Sequence, residues 1–252
     1  MQLMGILNTT PDSFYDGGKY TTLDSAVKRA EEILTQGANI IDIGGESTRP
    51  GASEVSQEEE FKRTIPVLRE LKKRFPQAIF SIDTTNFDTA LAAADEGVQI
   101  INDVSALADP KLAGLAAAYN IKLIIMHTRG TPQTMQENCK YENILTDISD
   151  FFREKIEIAK AQNLPKTNII LDIGLGFAKT REQNWQLLEN LDFFKALDLP
   201  LLVGASRKSF TDYSLELSLK AARLARQAKV DYLRIHDVKE TADFLRTIEN
   251  EK

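Results

Sequence analysis

The chain has 252 residues, 42% of them hydrophobic, a formal net charge of −6 and one cysteine, Cys139. That length and apolar content suffice for a sizeable core. The acidic balance argues against phosphate-driven binding of nucleic acid, and a lone cysteine excludes an internal disulfide and fits a reducing compartment. The opening residues MQLMGILNTT carry no basic stretch ahead of an apolar run, and nothing approaches the roughly 18–20 apolar residues of a membrane helix, so a cytoplasmic location without a membrane partner is expected.

Short runs rich in Ile, Leu and Val alternate with longer amphipathic segments along the whole chain. A strand over 3–7 precedes a helix over 23–34, in which Leu23, Ala26, Val27, Ala30, Ile33 and Leu34 form one stripe opposite Lys28, Arg29 and Glu31. Strand 40–43 leads to helix 57–74, strand 78–82 to helix 87–94, and strand 99–101 to helix 111–119. Strand 123–126 is followed by helix 144–162, strand 169–171 by helix 182–196, strand 201–203 by helix 215–228, and strand 232–233 by helix 239–249. Ser56 and Thr180 stand where side chains cap helix starts. Strands with so few charges are those buried on both faces of a parallel sheet. Eight strand–helix repeats with no linker or composition shift predict one domain over 1–252, an α/β, single-domain (β/α)8 TIM barrel.

In such a barrel the site is built where the strands end. Past the strands come Asn8, then Asp42 to Arg49, Asp83, Asn102 and Asp103, His127, Asp172, the run Ser206, Arg207 and Lys208, and finally Arg234 and His236. Every strand is thus expected to deliver a polar side chain to one rim. Any one such residue is as readily a solvated turn; the set is harder to dismiss, because Asp83, Asn102 and Asp172 stand at or just beyond the last apolar position. Three glycine-bearing loops, over 8–18, 44–51 and 174–179, add backbone donors, hydroxyls and aromatics beside the cations Lys208, Arg234 and His236. Together they suit a small, partly anionic ligand with a heterocyclic edge. His127 and His236 lack zinc-site spacing, and no nucleophile triad, P-loop or dinucleotide fingerprint stands in a workable context.

Two long runs resemble the signatures of the dihydropteroate synthase family: Met4-Gly5-Ile6-Leu7-Asn8-Thr9-Thr10-Pro11-Asp12-Ser13-Phe14 and Asp42-Ile43-Gly44-Gly45-Glu46-Ser47-Thr48-Arg49-Pro50-Gly51. Shorter matches are Ser81-Ile82-Asp83-Thr84, Ile101-Asn102-Asp103, Met126-His127, Leu171-Asp172, Gly204-Ala205-Ser206-Arg207-Lys208-Ser209 and Arg234-Ile235-His236-Asp237-Val238. The resemblance implies an enzyme that condenses a dihydropterin pyrophosphate with p-aminobenzoate in folate biosynthesis, with Mg2+ as cofactor. By it, Asp83, Asp172, Lys208 and Arg234 are catalytic, and the pterin lies among them with Asn102, Met126, Phe177 and Gly204. Asn8, Thr48, Arg234 and His236 would surround the pyrophosphate, Asn8 also holding the metal. Phe14, Thr48, Arg49, Pro50, Phe177, Lys208 and Ser209 would frame the p-aminobenzoate site, which is the sulfonamide target in the family.

The chain departs from the family pattern in places. Asp172-Ile173-Gly174 stands where Asp-Pro-Gly is usual and Ala178 precedes Lys179, so a looser loop is expected. Asp83-Thr84 is followed by Thr85-Asn86-Phe87, which should retune the next helix start. The segment after Phe210 is short in a region that commonly makes the family's dimer contact, so a homodimer is an expectation and the assembly state is open. The first strand starts near residue 3, so the barrel floor must be covered without a preceding hairpin. Two other readings stand beside the synthase: a methyltetrahydrofolate-type methyltransferase, and a paralogue that binds pterin without catalysis.

Overall fold

In the computed structural model, residues 1–9, 22–46, 55–131 and 133–249 are described. Eight parallel strands close into a barrel in the order of the chain: β1 (Gln2–Asn8), β2 (Ile40–Gly44), β3 (Ile79–Asp83), β4 (Ile100–Asp103), β5 (Lys122–Met126), β6 (Ile169–Asp172), β7 (Leu201–Val203) and β8 (Tyr232–Ile235). Closure is made by β8 pairing with β1, where Met4 stands opposite Arg234. Outside run α1 (Thr22–Thr35), α2 (Gln57–Arg74), α3 (Phe87–Asp95), α4 (Lys111–Ala118), α5 (Ile144–Ala161), α6 (Arg181–Glu189), α7 (Leu215–Gln227) and α8 (Val238–Glu249). The caps read from sequence are made. Ser56 Oγ accepts from the Glu59 N–H, and Thr180 with Gln183 forms a reciprocal capping box. Asn86 caps α3 through the Asp88 N–H.

Strand alternation sorts the side chains into two cores. Ile41, Ile43, Phe80, Ile82, Leu123, Ile125, Leu171, Val203 and Leu233 face the helices. Met4, Ile40, Ile100, Ile124, Ile170, Leu202 and Tyr232, with Ile79 against them, fill the barrel itself. Gly5 faces outward where α1 packs closest: a Cβ there would lie 2.4 Å from Ile33 Cγ2. Two residues beyond the apolar interior layer come Ile6, Asp42, Ser81, Asn102, Met126, Asp172, Gly204 and Arg234. An apolar plug therefore lies under a polar layer. At the opposite end Lys122 Nζ donates to Tyr232 Oη at 3.0 Å across the floor.

One helix differs from the sequence expectation. The segment expected as a single helix over 182–196 ends at Glu189, and Leu191–Leu197 forms a 3-10 helix that closes on Asp198 in the left-handed region, φ +53°. Its buried residues Leu191, Phe194 and Leu197 recur every third position, which a helix with 3.0 residues per turn puts on one face.

Candidate active site

Arg234, on β8, is the hub of the polar layer. Its Nε donates to Asp42 Oδ2 at 2.6 Å and its Nη2 to Asp83 Oδ2 at 2.6 Å. Asn102 Nδ2 donates to the same Asp42 oxygen at 3.1 Å. Strands β2, β3, β4 and β8 are thus tied together at one level. Three acceptors at that level have no partner although they are buried: Asp42 Oδ1, Ser81 Oγ and Asn102 Oδ1. Each such atom costs about 1–3 kcal/mol when left unpaired.

The second half of the site comes from β5, β6 and β7. Asp172 Oδ1 accepts the Gly174 N–H at 2.8 Å, which turns the chain sharply after β6. Lys208 reaches back towards Gly204, where a Cβ would stand 4.0 Å from Lys208 Nζ and 3.7 Å from Arg234 Cβ. That ammonium donates to the Leu175 carbonyl at 2.5 Å and lies 4.5 Å from the centre of the Phe177 ring. Phe177 packs with Met126, Met135 and Ala178, Val104 against them, into an apolar wall. The mouth therefore offers a polar edge on one side and an apolar face on the other, the two surfaces that a flat heterocycle needs.

Burial dominates the electrostatics. Desolvation pushes the Asp83 carboxyl up to about 7, with Arg234 opposing and Asp42 adding to the rise. It raises Asp172 as well, against the pull of Lys208. Lys208 is pushed down to about 8 by burial, with Asp172 holding it up. For Arg234 burial also works against the charge, but Asp42 and Asp83 overcome it and keep the guanidinium cationic.

Asp83, Asn102, Asp172, Lys208 and Arg234 thus converge as the sequence predicts, with Met126, Phe177 and Gly204 beside them. Asn8 ends β1 close to Asp83: a Cβ on Gly44 would lie 3.7 Å from Asp83 Oδ2 and 3.9 Å from Asn8 Oδ1. Among the described residues no three His, Cys, Asp or Glu side chains cluster as a metal site. The Asn8 amide oxygen is nonetheless a ligand of the kind Mg2+ takes, alongside waters and phosphate oxygens of its substrate. His236 follows β8, its N–H donating to Ser206 Oγ at 3.1 Å and its carbonyl accepting from Arg29 at 3.2 Å. Ser209 is exposed at the start of a short 3-10 turn (Ser209–Thr211). Phe14, Thr48, Arg49 and Pro50 lie outside the described residues.

Three rim residues do not face the mouth. Met126 takes the inward position at the end of β5, so His127 points outward, fully buried, with its ring 4.7 Å from Phe151 and 6.0 Å from Tyr141. By the same alternation Asn102 faces in and Asp103 out, where it accepts from Ser105 and the Leu107 N–H. Arg207 forms a two-bond pair with Asp237 at 2.7 and 2.9 Å. The looser loop expected from Ile173 is not found: Ile173 is fully buried and the turn is bonded to Asp172 and Lys179. Missed from the sequence were Asp42 as the buried anchor of Arg234, Ser81, and the apolar pair Val104 and Met135. Asp42 and Ser81 are two positions beyond Ile40 and Ile79, so counting alternation along each strand finds both. Val104 lies in a turn and Met135 opens a three-residue 3-10 helix, Met135–Glu137, so the strand period reaches neither.

A model described as pterin-binding enzyme matches residues 4–247. The dihydropteroate synthase of Escherichia coli strain K12 is 42% identical over 255 residues, covering 98% of this chain and 90% of that protein. The structure of the Yersinia pestis dihydropteroate synthase with a sulfonamide drug superposes with a TM-score of 0.92 at 40% identity, over 99% of this chain and 94% of that one. The Xanthomonas albilineans enzyme with 4-aminobenzoic acid gives 0.91 at 36% identity, over 99% and 92%.

Proposed function

The chain belongs to the dihydropteroate synthases of the pterin-binding enzyme family, and from that premise we propose how its own residues carry the condensation of 6-hydroxymethyl-7,8-dihydropterin pyrophosphate with p-aminobenzoate. The pterin ring lies on the polar layer. Its amino and ring N–H groups donate to Asp83, Asp172 and Asn102, while Lys208 donates to ring acceptors and Arg234 lies along the ring. The convergence of Asp83, Asn102 and Arg234 at the strand ends, opposite Lys208 and the apolar wall of Phe177 and Met126, is the observation that carries this placement.

Substitution occurs at the exocyclic methylene. The bond to the pyrophosphate oxygen breaks first, its electron pair leaving with pyrophosphate beside Asn8, Thr48, Arg234 and His236. Asn8, together with the pyrophosphate oxygens, would hold Mg2+, which would supply charge neutralisation on the leaving group. The pterin is left with a delocalised positive charge, which the Asp83 carboxylate stabilises electrostatically. The amine of p-aminobenzoate, framed by Phe14, Thr48, Arg49, Pro50, Phe177, Lys208 and Ser209, then bonds to the methylene carbon and loses a proton to solvent or pyrophosphate. An aryl amine is neutral at pH 7, so no strong general base is needed. The protein positions, excludes water and supplies charge.

The chain has no helix long and apolar enough to cross a membrane among its described residues; we place it in the cytoplasm, where its one cysteine stays reduced. We also place it in a homodimer. Leu224 and Phe244 leave part of their apolar surface uncovered on the adjacent α7 and α8, and sedimentation of the purified protein tests the assembly. The activity test is pyrophosphate release from the pterin pyrophosphate with Mg2+, with and without p-aminobenzoate. Release with formation of dihydropteroate is expected. Binding of pterin without release would favour a non-catalytic paralogue, and no pterin binding would overturn the site.

A further inference from the structure

Among the described residues, the reaction leaves one fully enclosed lysine without a role. Lys179 follows the turn after β6 and is 3% exposed. Its Nζ donates to the Gly174 carbonyl at 2.8 Å and the Phe177 carbonyl at 2.9 Å, and lies 2.9 Å from His127 Nδ1. Those are three acceptors for the three protons of an ammonium group. Burial pushes Lys179 well below the usual lysine range. A neutral amine keeps the same contacts, donating to both carbonyls and accepting from His127 Nδ1, so the arrangement survives in either state. His127 is itself held from behind by Phe151, Phe152 and Tyr141.

The turn that Lys179 grips from behind is the one that the site uses in front. Leu175 offers its carbonyl to Lys208, and the Phe177 ring lies beneath the same ammonium. The backbone between them is not at ease. Gly174, Gly176 and Ala178 all have positive φ, at +66°, +84° and +50°. Ala178, unlike the glycines, carries a side chain in that region, which costs about 1–2 kcal/mol. A Cβ on Gly174 would lie 1.9 Å from the His127 carbonyl. Such a conformation persists only where its surroundings hold it. Lys179 supplies two of the holding bonds, with Tyr141 Oη donating to the Ala178 carbonyl and Asn184 accepting the Gly176 N–H.

We propose that Lys179 is a positioning residue for p-aminobenzoate: through the Gly174 and Phe177 carbonyls it sets the height of the Phe177 ring and of the Leu175 carbonyl that places Lys208. The inference rests on the assignment of Phe177 and Lys208 to the p-aminobenzoate side. It predicts a selective defect. Asp83, Asn102 and Arg234 lie off this turn, while Asp172 and Lys208 meet it at the Gly174 N–H and the Leu175 carbonyl, so replacing Lys179 should cost p-aminobenzoate more than it costs pterin.

The test is Lys179→Met, which keeps the stem and removes the donors, measured for both substrates alongside Phe177→Ala and the double variant. The expected result is a rise of about tenfold in KM for p-aminobenzoate, a change of less than about threefold in pterin affinity, and a double variant little worse than Phe177→Ala alone. Equal losses for both substrates, no loss, or additive effects would each overturn the proposal. If Lys179→Met does not fold, His127→Leu, which removes one acceptor only, should shift KM for p-aminobenzoate in the same direction by about two- to threefold; an unchanged KM there overturns it too. Failure of the wild-type protein to use p-aminobenzoate at all would instead remove the assignment of the site.

Discussion

Arg234 and Asp83 are joined across the barrel mouth by a 2.6 Å bond from Nη2 to Oδ2, while the same guanidinium is held from below by Asp42, also at 2.6 Å. Asp42 is fully buried and Asp83 has 8% of its side chain exposed. The two carboxylates therefore differ in task. Asp42 balances the guanidinium and fixes its direction, and the charge of Asp83 is the surplus that a developing cation can use.

Asp83→Asn should accordingly lower turnover by about 10²–10³-fold, the size of loss seen when one preorganised electrostatic partner is removed. Pterin affinity should fall much less, because the amide still accepts a hydrogen bond. Comparing kcat with equilibrium binding of the pterin decides it; equal losses in both would count against the role.

Lys208→Ala should weaken both ligands, by about 10- to 100-fold each, since a charge-assisted bond is worth about 1.5–3 kcal/mol. Titration calorimetry with each ligand reads this directly. Unchanged pterin binding would contradict the placement of Lys208 over Gly204 and Phe177.

The same two groups set a narrow pH optimum. Asp83, raised to about 7, must lose its proton to act, so kcat/KM should climb as pH rises through that value. Lys208, lowered to about 8, must keep its proton, so the rate should fall above it. A bell with limbs near these values is expected, and Lys208→Arg should remove the alkaline limb, because a guanidinium stays charged. A flat profile from about pH 6 to about pH 9 would be incompatible with this pair.

His127 links stability to acid. Burial holds its ring neutral down to about 2 in the folded chain, whereas an unfolded histidine takes a proton near pH 6.5. Between those values the unfolded chain binds more protons. The stability is present above about pH 6.5 and is lost as pH falls, by up to about 1.4 kcal/mol per unit. His127→Phe should remove that slope, so the urea midpoints of the two proteins should converge between about pH 7.5 and about pH 5. Parallel slopes would rule the linkage out.

Gly5→Ala is a packing test away from the mouth. The added methyl would meet Ile33 Cγ2 at 2.4 Å, and overpacking of this kind costs about 1–3 kcal/mol. Thermal unfolding should show the loss, with KM for both substrates unchanged.

Much of this was legible beforehand. The strands announce themselves as apolar runs, and Asp83, Asn102, Asp172 and Arg234 stand at their ends because a barrel builds its site there. His127 and Asp103 misled because the first polar residue after a strand is not always the one that faces inward; Met126 and Asn102 occupy those positions. The grip of Lys179 was out of reach for a different reason. A side chain that leaves a loop and folds back on it follows no period, and its partners are fixed only by three positive φ angles. The break at Glu189 lay in the spacing of Leu191, Phe194 and Leu197, hidden within a longer amphipathic stretch.

The floor has a consequence for traffic. Among the described residues, Lys122 bonded to Tyr232 at one end and an isoleucine-rich plug above them make the barrel a well blind at its floor. Whatever rests deepest has to come in first and go out last. On the proposed placement a pterin seated on Asp83 and Asn102 would precede the aryl amine, and an amine that arrives early would become a stopper in the neck. High p-aminobenzoate added ahead of the pterin should therefore slow the enzyme, and the condensed product has to back out along the route by which its two halves came in.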